Sequence, residues 1–126
     1  MKKDEDLAKK RVNSRAKGAR GEREAAKVIA AVLGVNARRG QQFSGGSESP
    51  DVVTDATDIH FEIKRVENLN IVNAVKQAVR DAGENKTPVV LHRRNNCDWL
   101  LTLRFSDVPS LVAKLSKYLD LEKNES

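Results

Sequence analysis

A chain of 126 residues and 14.0 kDa accommodates one domain with a single sizeable core, and with only five aromatic residues that core must be largely aliphatic. The net charge of +5 is unevenly spread: residues 8–43 carry ten Lys/Arg against Glu22 and Glu24, while from residue 66 onward nine basic and eight acidic residues nearly cancel. A basic segment beside a neutral one suits a polyanion or a solvated face. It suits a membrane surface less well, because no long basic helix with a bulky apolar face accompanies it.

No apolar run approaches the roughly 20 residues that span a bilayer. The charged N-terminus lacks the apolar stretch of a secretory signal. Lone Cys97 excludes an internal disulfide and is too few for a zinc cluster. The expectation is an intracellular, cytoplasmic protein without membrane partners.

In chain order, residues 1–16 are nearly devoid of large apolar side chains and read as a frayed or helical basic arm. The run "ARGEREAAKVIAAVL" predicts a helix from about Ala19 to Leu33, stopped by Gly34. On its wheel, Glu22, Ala25, Ala26, Ile29 and Leu33 share one face, while Glu24 points about 200° from Glu22. The following "VNARRGQQFSGGSESP" starts as a short strand and becomes a glycine-rich loop.

"DVVTD" and "IHFEIKRV" predict two strands joined by a turn at Asp55–Asp58. A helix over Ile71–Gly83 is expected to bury Val72, Val75, Val79 and Ala82. "PVVLHRR" and "DWLLTLRF" predict two further strands around Asn95-Asn96, with Trp99 in the core. Ser106 or Asp107 is expected to cap a last helix with Leu111, Leu115 and Tyr118 or Leu119 inward. The predicted order α-β-β-β-α-β-β-α gives an α/β fold, a central mixed sheet flanked by helices. The domain spans 17–121 and the tail 122–126.

Taken as a strand, "DIHFEIKRV" sends Ile59, Phe61 and Ile63 to one face and Asp58, His60, Glu62 and Lys64 to the other. That alternation also describes a solvated strand. Its company is more informative. Pro50-Asp51 opens the preceding strand, and if the two strands pair as a hairpin Asp51 and Glu62 converge. Two carboxylates held together repel unless a cation compensates. Oxygen ligands suit Mg²⁺ or Mn²⁺ rather than zinc. Lys64 projects the same way as Glu62, so the set fits phosphodiester hydrolysis.

Pro50-Asp51, ten intervening residues and then Glu62-Ile63-Lys64 resemble the PD-(D/E)-x-K nuclease motif. With "KGARGERE" (17–24), the "RRGQQFSGG" loop and the later helix, residues 17–80 resemble the archaeal-type Holliday junction resolvases of that superfamily. The resemblance implies a restriction-endonuclease-like core, metal ligation by Asp51, Glu62 and Glu22, and a catalytic lysine at Lys64. The wheel separately prefers Glu22 to Glu24, which is more simply a surface ion-pair partner. The resemblance further implies a phosphate contact from Ser44, with Ser47 as competitor, and DNA contacts from Lys17, Arg20, Arg38, Arg39 and Arg65. Gln77 is either a site residue or a solvated helix position. His60 is expected to be a partly exposed bystander, His92 structural and Cys97 inert.

The implied activity is a Mg²⁺-dependent endonuclease, with Mn²⁺ a possible substitute, that resolves four-way junctions by paired nicks. Two symmetric nicks make a C₂ homodimer the natural assembly. The alternatives are another PD-(D/E)-x-K endonuclease, restriction-like or repair type and of the kind phages and prophages carry, or a non-catalytic DNA-binding module.

Overall fold

The computed structural model describes residues 2–40 and 51–119, with residues 2–17 described as backbone alone. Helix α1 (Lys2–Leu33) is followed by strands β1 (Ala37–Arg39), β2 (Val52–Thr54) and β3 (Ile59–Arg65). Helix α2 (Ile71–Ala82) leads to β4 (Thr87–Arg93) and β5 (Leu100–Thr102). A 3₁₀ turn (Phe105–Asp107) and α3 (Val108–Leu119) complete the order, which matches the expected α-β-β-β-α-β-β-α alternation.

Residues 2–16 of the segment that the sequence presents as a frayed or helical arm lie in the same helix as the alanine-rich run. It ends at Gly34, whose φ of +69° is left-handed backbone that glycine adopts without steric cost. The Gly34 N–H donates to the Ala30 carbonyl at 2.9 Å, satisfying one of the last carbonyls. Among the described residues no helix is long and apolar enough to cross a membrane.

β3 and β4 pair in parallel, Ile59 opposite Thr87 through Arg65 opposite Arg93, and β5 adds antiparallel to β4. A parallel pair needs a crossover, and α2 supplies it. Both faces of β3 are covered, so its first five residues are all buried. Ile59, Phe61 and Ile63 share a core with Ala25, Ile29, Val52, Ala56, Val89, Leu91 and Leu111. On the opposite face, Ala74 and Ala78 of α2 close over Val90.

The expected hairpin between the second and third strands does not form. β2 instead pairs antiparallel with β1, Arg38 opposite Val53, as a separate two-stranded sheet. In the intervening turn Ala56 is fully buried, and its carbonyl accepts the Ile59 N–H at 3.1 Å.

The buried stripe of α2 also differs from expectation: Ala74, Ala78 and Ala82 face the sheet, while Val72 is 59% exposed and Val75 and Val79 are half-buried. Small side chains let the helix lie close to strands that present Val90 as well as the bulkier His60 and Glu62. Its N-terminus is capped by Asn70, whose Oδ1 accepts the Asn73 N–H at 3.1 Å.

Just before the last helix, Asp107 takes two bonds from Arg104, at 2.7 and 3.3 Å. Leu111 is buried, and Leu115 and Tyr118 pack on the same core. Trp99 also packs there, with the Arg93 guanidinium 5.5 Å from its ring centre. The expected strand over 98–105 shortens to Leu100–Thr102, leaving Leu100, Leu101 and Phe105 exposed.

Candidate active site

The side chain of Asp51 substitutes for the missing hairpin. Its Oδ2 accepts the Ile63 N–H of β3 at 3.2 Å, so the carboxylate occupies the place a partner strand would take. This bond brings Asp51 beside Glu62. The consequence is electrostatic: burial first, then the Glu62 charge and to a smaller degree that of Glu22, raise the Asp51 pKa from 3.8 to about 6.

Glu62 is almost wholly buried between β3 and α2. Burial pushes its pKa up, but a hydrogen bond from His60, the Lys64 charge and the His60 charge outweigh that and hold it below the ordinary value. Lys64 Nζ lies 3.6 Å from Glu62 Oε1 and His60 Nε2 lies 3.3 Å from Oε2, so each oxygen has a basic neighbour.

Glu22 reaches the site from α1. Gly21, immediately before it, is buried; a Cβ there would stand 3.0 Å from Arg65 Cβ. The missing side chain lets the helix approach the end of β3 and brings Glu22 close enough to act on Asp51. The Glu22 carboxylate, 16% exposed, accepts Arg39 Nε at 2.7 Å. Arg39 therefore orients Glu22, a role that nothing in its sequence neighbourhood marks.

Glu24 pairs with Arg93 at 2.9 Å and Arg65 at 3.4 Å, tying α1 to the ends of β3 and β4. Arg65, expected on DNA, is thus held by a carboxylate. Arg20 and Arg38 are exposed on α1 and β1. Ser44, Ser47 and the side chain of Lys17 lie outside the described residues.

His60 is not a partly exposed bystander: it is 6% exposed and bonded to Glu62. The two-residue strand period places it beside Glu62; what the sequence does not reveal is that α2 covers that face. α2 also contributes Asp81, an exposed carboxylate whose oxygen lies with His60 and Glu62 ligand atoms in a group within 4.8 Å of one another. No local signal marks Asp81, because its position depends on how the crossover helix docks.

Asp58, on the same alternating face in sequence, is occupied elsewhere by Tyr118 at 3.3 Å and Lys117 at 3.5 Å. His92 meets Thr102 Oγ1 at 2.9 Å across β4 and β5, consistent with a structural role. Gln77 is half-buried and lines a cleft that begins at Lys64.

Asp51, Glu62 and Glu22 offer carboxylate oxygens, a set that suits a hard divalent cation, while the ligand atoms that lie within 4.8 Å of one another are those of His60, Glu62 and Asp81. The raised Asp51 pKa reflects burial first and then the nearby Glu62 charge, and a bound cation would relieve both.

No curated protein and no solved structure matches this chain. A family model described as "Phage putative PDDEXK endonuclease" matches residues 13–125, a span that contains Glu22, Asp51, Glu62 and Lys64. The chain thus belongs to this PD-(D/E)-x-K endonuclease family and is a nuclease whose substrate is DNA.

Proposed function

We propose that this nuclease is a Mg²⁺-dependent, structure-selective endodeoxyribonuclease that resolves four-way DNA junctions by paired symmetric nicks. The observation that carries the chemistry is the Asp51 bond to the Ile63 backbone, which holds a second carboxylate against Glu62 where the Lys64 ammonium also arrives.

In this reading Asp51, Glu62 and Glu22 hold the metal, and Mn²⁺ can substitute. A cation bound there would polarise the scissile phosphate and make water a better nucleophile. Lys64 presents its ammonium to the developing charge on the phosphate and orients the attacking water. His60 keeps Glu62 ionised, and Arg39 holds the Glu22 carboxylate toward the site. Ser44 would contact the scissile phosphate. Arg20, Arg38 and Lys17 would meet the backbone further out, where contacts position DNA without reading its sequence.

A homodimer supplies the second cut. Its support is the apolar surface left at β5 and α3, where Leu100, Leu101, Phe105 and Val112 are all exposed.

A second reading, cleavage of duplex or other branched DNA, fits the family description equally well, since that specifies an endonuclease. Cleavage of a labelled four-way junction and a linear duplex, by wild type and Glu62→Ala, in Mg²⁺ or EDTA, separates the two. Paired nicks confined to the junction, lost in the variant with binding retained, are expected. Equal cutting of the duplex would establish the second reading. Absence of metal-dependent cleavage on either DNA would refute both.

A further inference from the structure

A cleft of about 570 Å³ opens between the end of β3 and the exposed side of α2. Lys64, Lys76 and Arg80 line it together with Asn68, Asn73 and Gln77. Among the described residues no acidic side chain lines it. Lys76 and Arg80 lie four residues apart and so face the same way, an arrangement in which like charges repel. Neither meets a carboxylate among the described residues, whereas Arg39, Arg65 and Arg93 all do. Free cations held together along a cleft call for an anion. Lys64 lines the cleft and its ammonium lies 3.6 Å from Glu62 Oε1, so the cleft adjoins the acids.

Size narrows the occupant. A volume in this range takes a ligand of roughly one or two nucleotides, and it cannot admit a double helix. The amides of Asn68, Asn73 and Gln77 offer both donors and acceptors, which can meet the edges of an unpaired base.

We infer that this cleft seats an unpaired DNA strand next to the scissile phosphate, with Lys76 and Arg80 binding its flanking phosphates. The inference rests on the nuclease reading of the adjoining site and adds to it a preference for a strand that is single at the point of cutting. A branched substrate offers such a strand, and an uninterrupted duplex does not.

The test uses the double variant Lys76→Ala/Arg80→Ala, with Arg104→Ala as a control that removes an exposed cation elsewhere. Both Lys76 and Arg80 are exposed, and an unchanged thermal melt verifies that the variant is folded. Binding of fluorescein-labelled oligothymidylate and of a blunt duplex is followed against KCl concentration in EDTA. Each lost contact to a single strand flattens the slope of log K against log salt by about 0.7, so the double variant should flatten it by about 1.4. The control should leave it unaltered, and the duplex should lose less affinity than the single strand.

An unchanged slope on the single strand overturns the inference. Equal loss on both DNAs overturns the preference for an unpaired strand. Wild-type cleavage in Mg²⁺, run alongside, keeps the outcomes distinct. Cutting that persists while the variant binds normally refutes the cleft alone. A flattened slope in a protein that cuts nothing supports the cleft and removes the nuclease reading.

Discussion

Replacing Asp51 by Asn should stabilise the metal-free protein at alkaline pH while abolishing cleavage. In the folded chain Asp51 is driven from 3.8 to about 6, by burial and then by Glu62, so its ionised form is the unfavourable one. A raised folded-state pKa gives stability that is fully present below about 3.8 and is lost as pH rises through about 6. At about 1.36 kcal/mol per pKa unit, ionisation of Asp51 costs the apo-protein roughly 2–3 kcal/mol at pH 8. Asn keeps the shape and an oxygen to accept the Ile63 N–H, but carries no charge. With about 2.1 cal/mol/K of unfolding entropy per residue over 126 residues, the substitution should raise Tm by about 9 °C. The assay is thermal unfolding in EDTA from pH 8 downward: the gap should narrow below pH 6 and close near pH 4. Saturating Mg²⁺ should raise the wild-type Tm well above its EDTA value and move the variant much less. A variant that melts at or below wild type at pH 8 refutes the account of Asp51 as an electrostatically strained group. A gap independent of pH refutes it equally.

Two further outcomes follow from the packing around this group. His60→Leu removes the bond that helps hold the Glu62 pKa down, so the acid limb of the pH–rate profile should move to higher pH, and His60→Gln should restore part of it. The leucine variant should also lose about 1–3 kcal/mol of stability, because Glu62 stays buried with one oxygen unsatisfied; an unmoved profile would show that His60 is structural only. Two helical glycines should respond oppositely to alanine. At Gly18 a Cβ would meet nothing within 4 Å, so alanine should add about 1 kcal/mol by helix propensity. At Gly21 that gain should be cancelled or reversed, since the Cβ would stand 3.0 Å from Arg65 Cβ, which is not the flexible end of its side chain. Urea titrations of both variants compare them directly, and an equal gain at the two sites would deny the close approach of α1 to β3.

What the sequence makes legible is periodic or local. The alternation of Ile59, Phe61 and Ile63 with His60, Glu62 and Lys64 fixes the two faces of β3 without any knowledge of its neighbours. The alanine-rich run and Gly34 locate the end of α1 because propensity and a left-handed terminus act within a few residues. Expectation and structure part where one element meets another. Adjacent strands commonly pair, which suggests β2 against β3, but β2 pairs with β1 instead, a choice that depends on the finished core. Hydrophobicity alone places the valines of α2 inward, but a sheet face carrying His60 and Glu62 leaves room for alanines and not for valines.

That last reversal connects the packing to the chemistry. A helix with a bulky inner face would stand off the sheet, and Glu62 would be solvated and titrate like an ordinary carboxylate. The alanine stripe instead brings α2 down on β3, which buries Glu62 and His60 together and carries Asp81 to their edge. The same docking leaves Lys76 and Arg80 on the outer rim beside Lys64. The position of one helix thus sets both the dry environment of the acids and the basic cleft next to them. Enlarging Ala78, which is 1% exposed, should consequently disturb both at once even though its side chain is apolar and bears no chemistry. Ala78→Leu should cost about 1–3 kcal/mol by overpacking, and cleavage should fall even at temperatures where the variant remains folded. Full activity in a folded Ala78→Leu variant would show that the acids do not depend on the seating of α2.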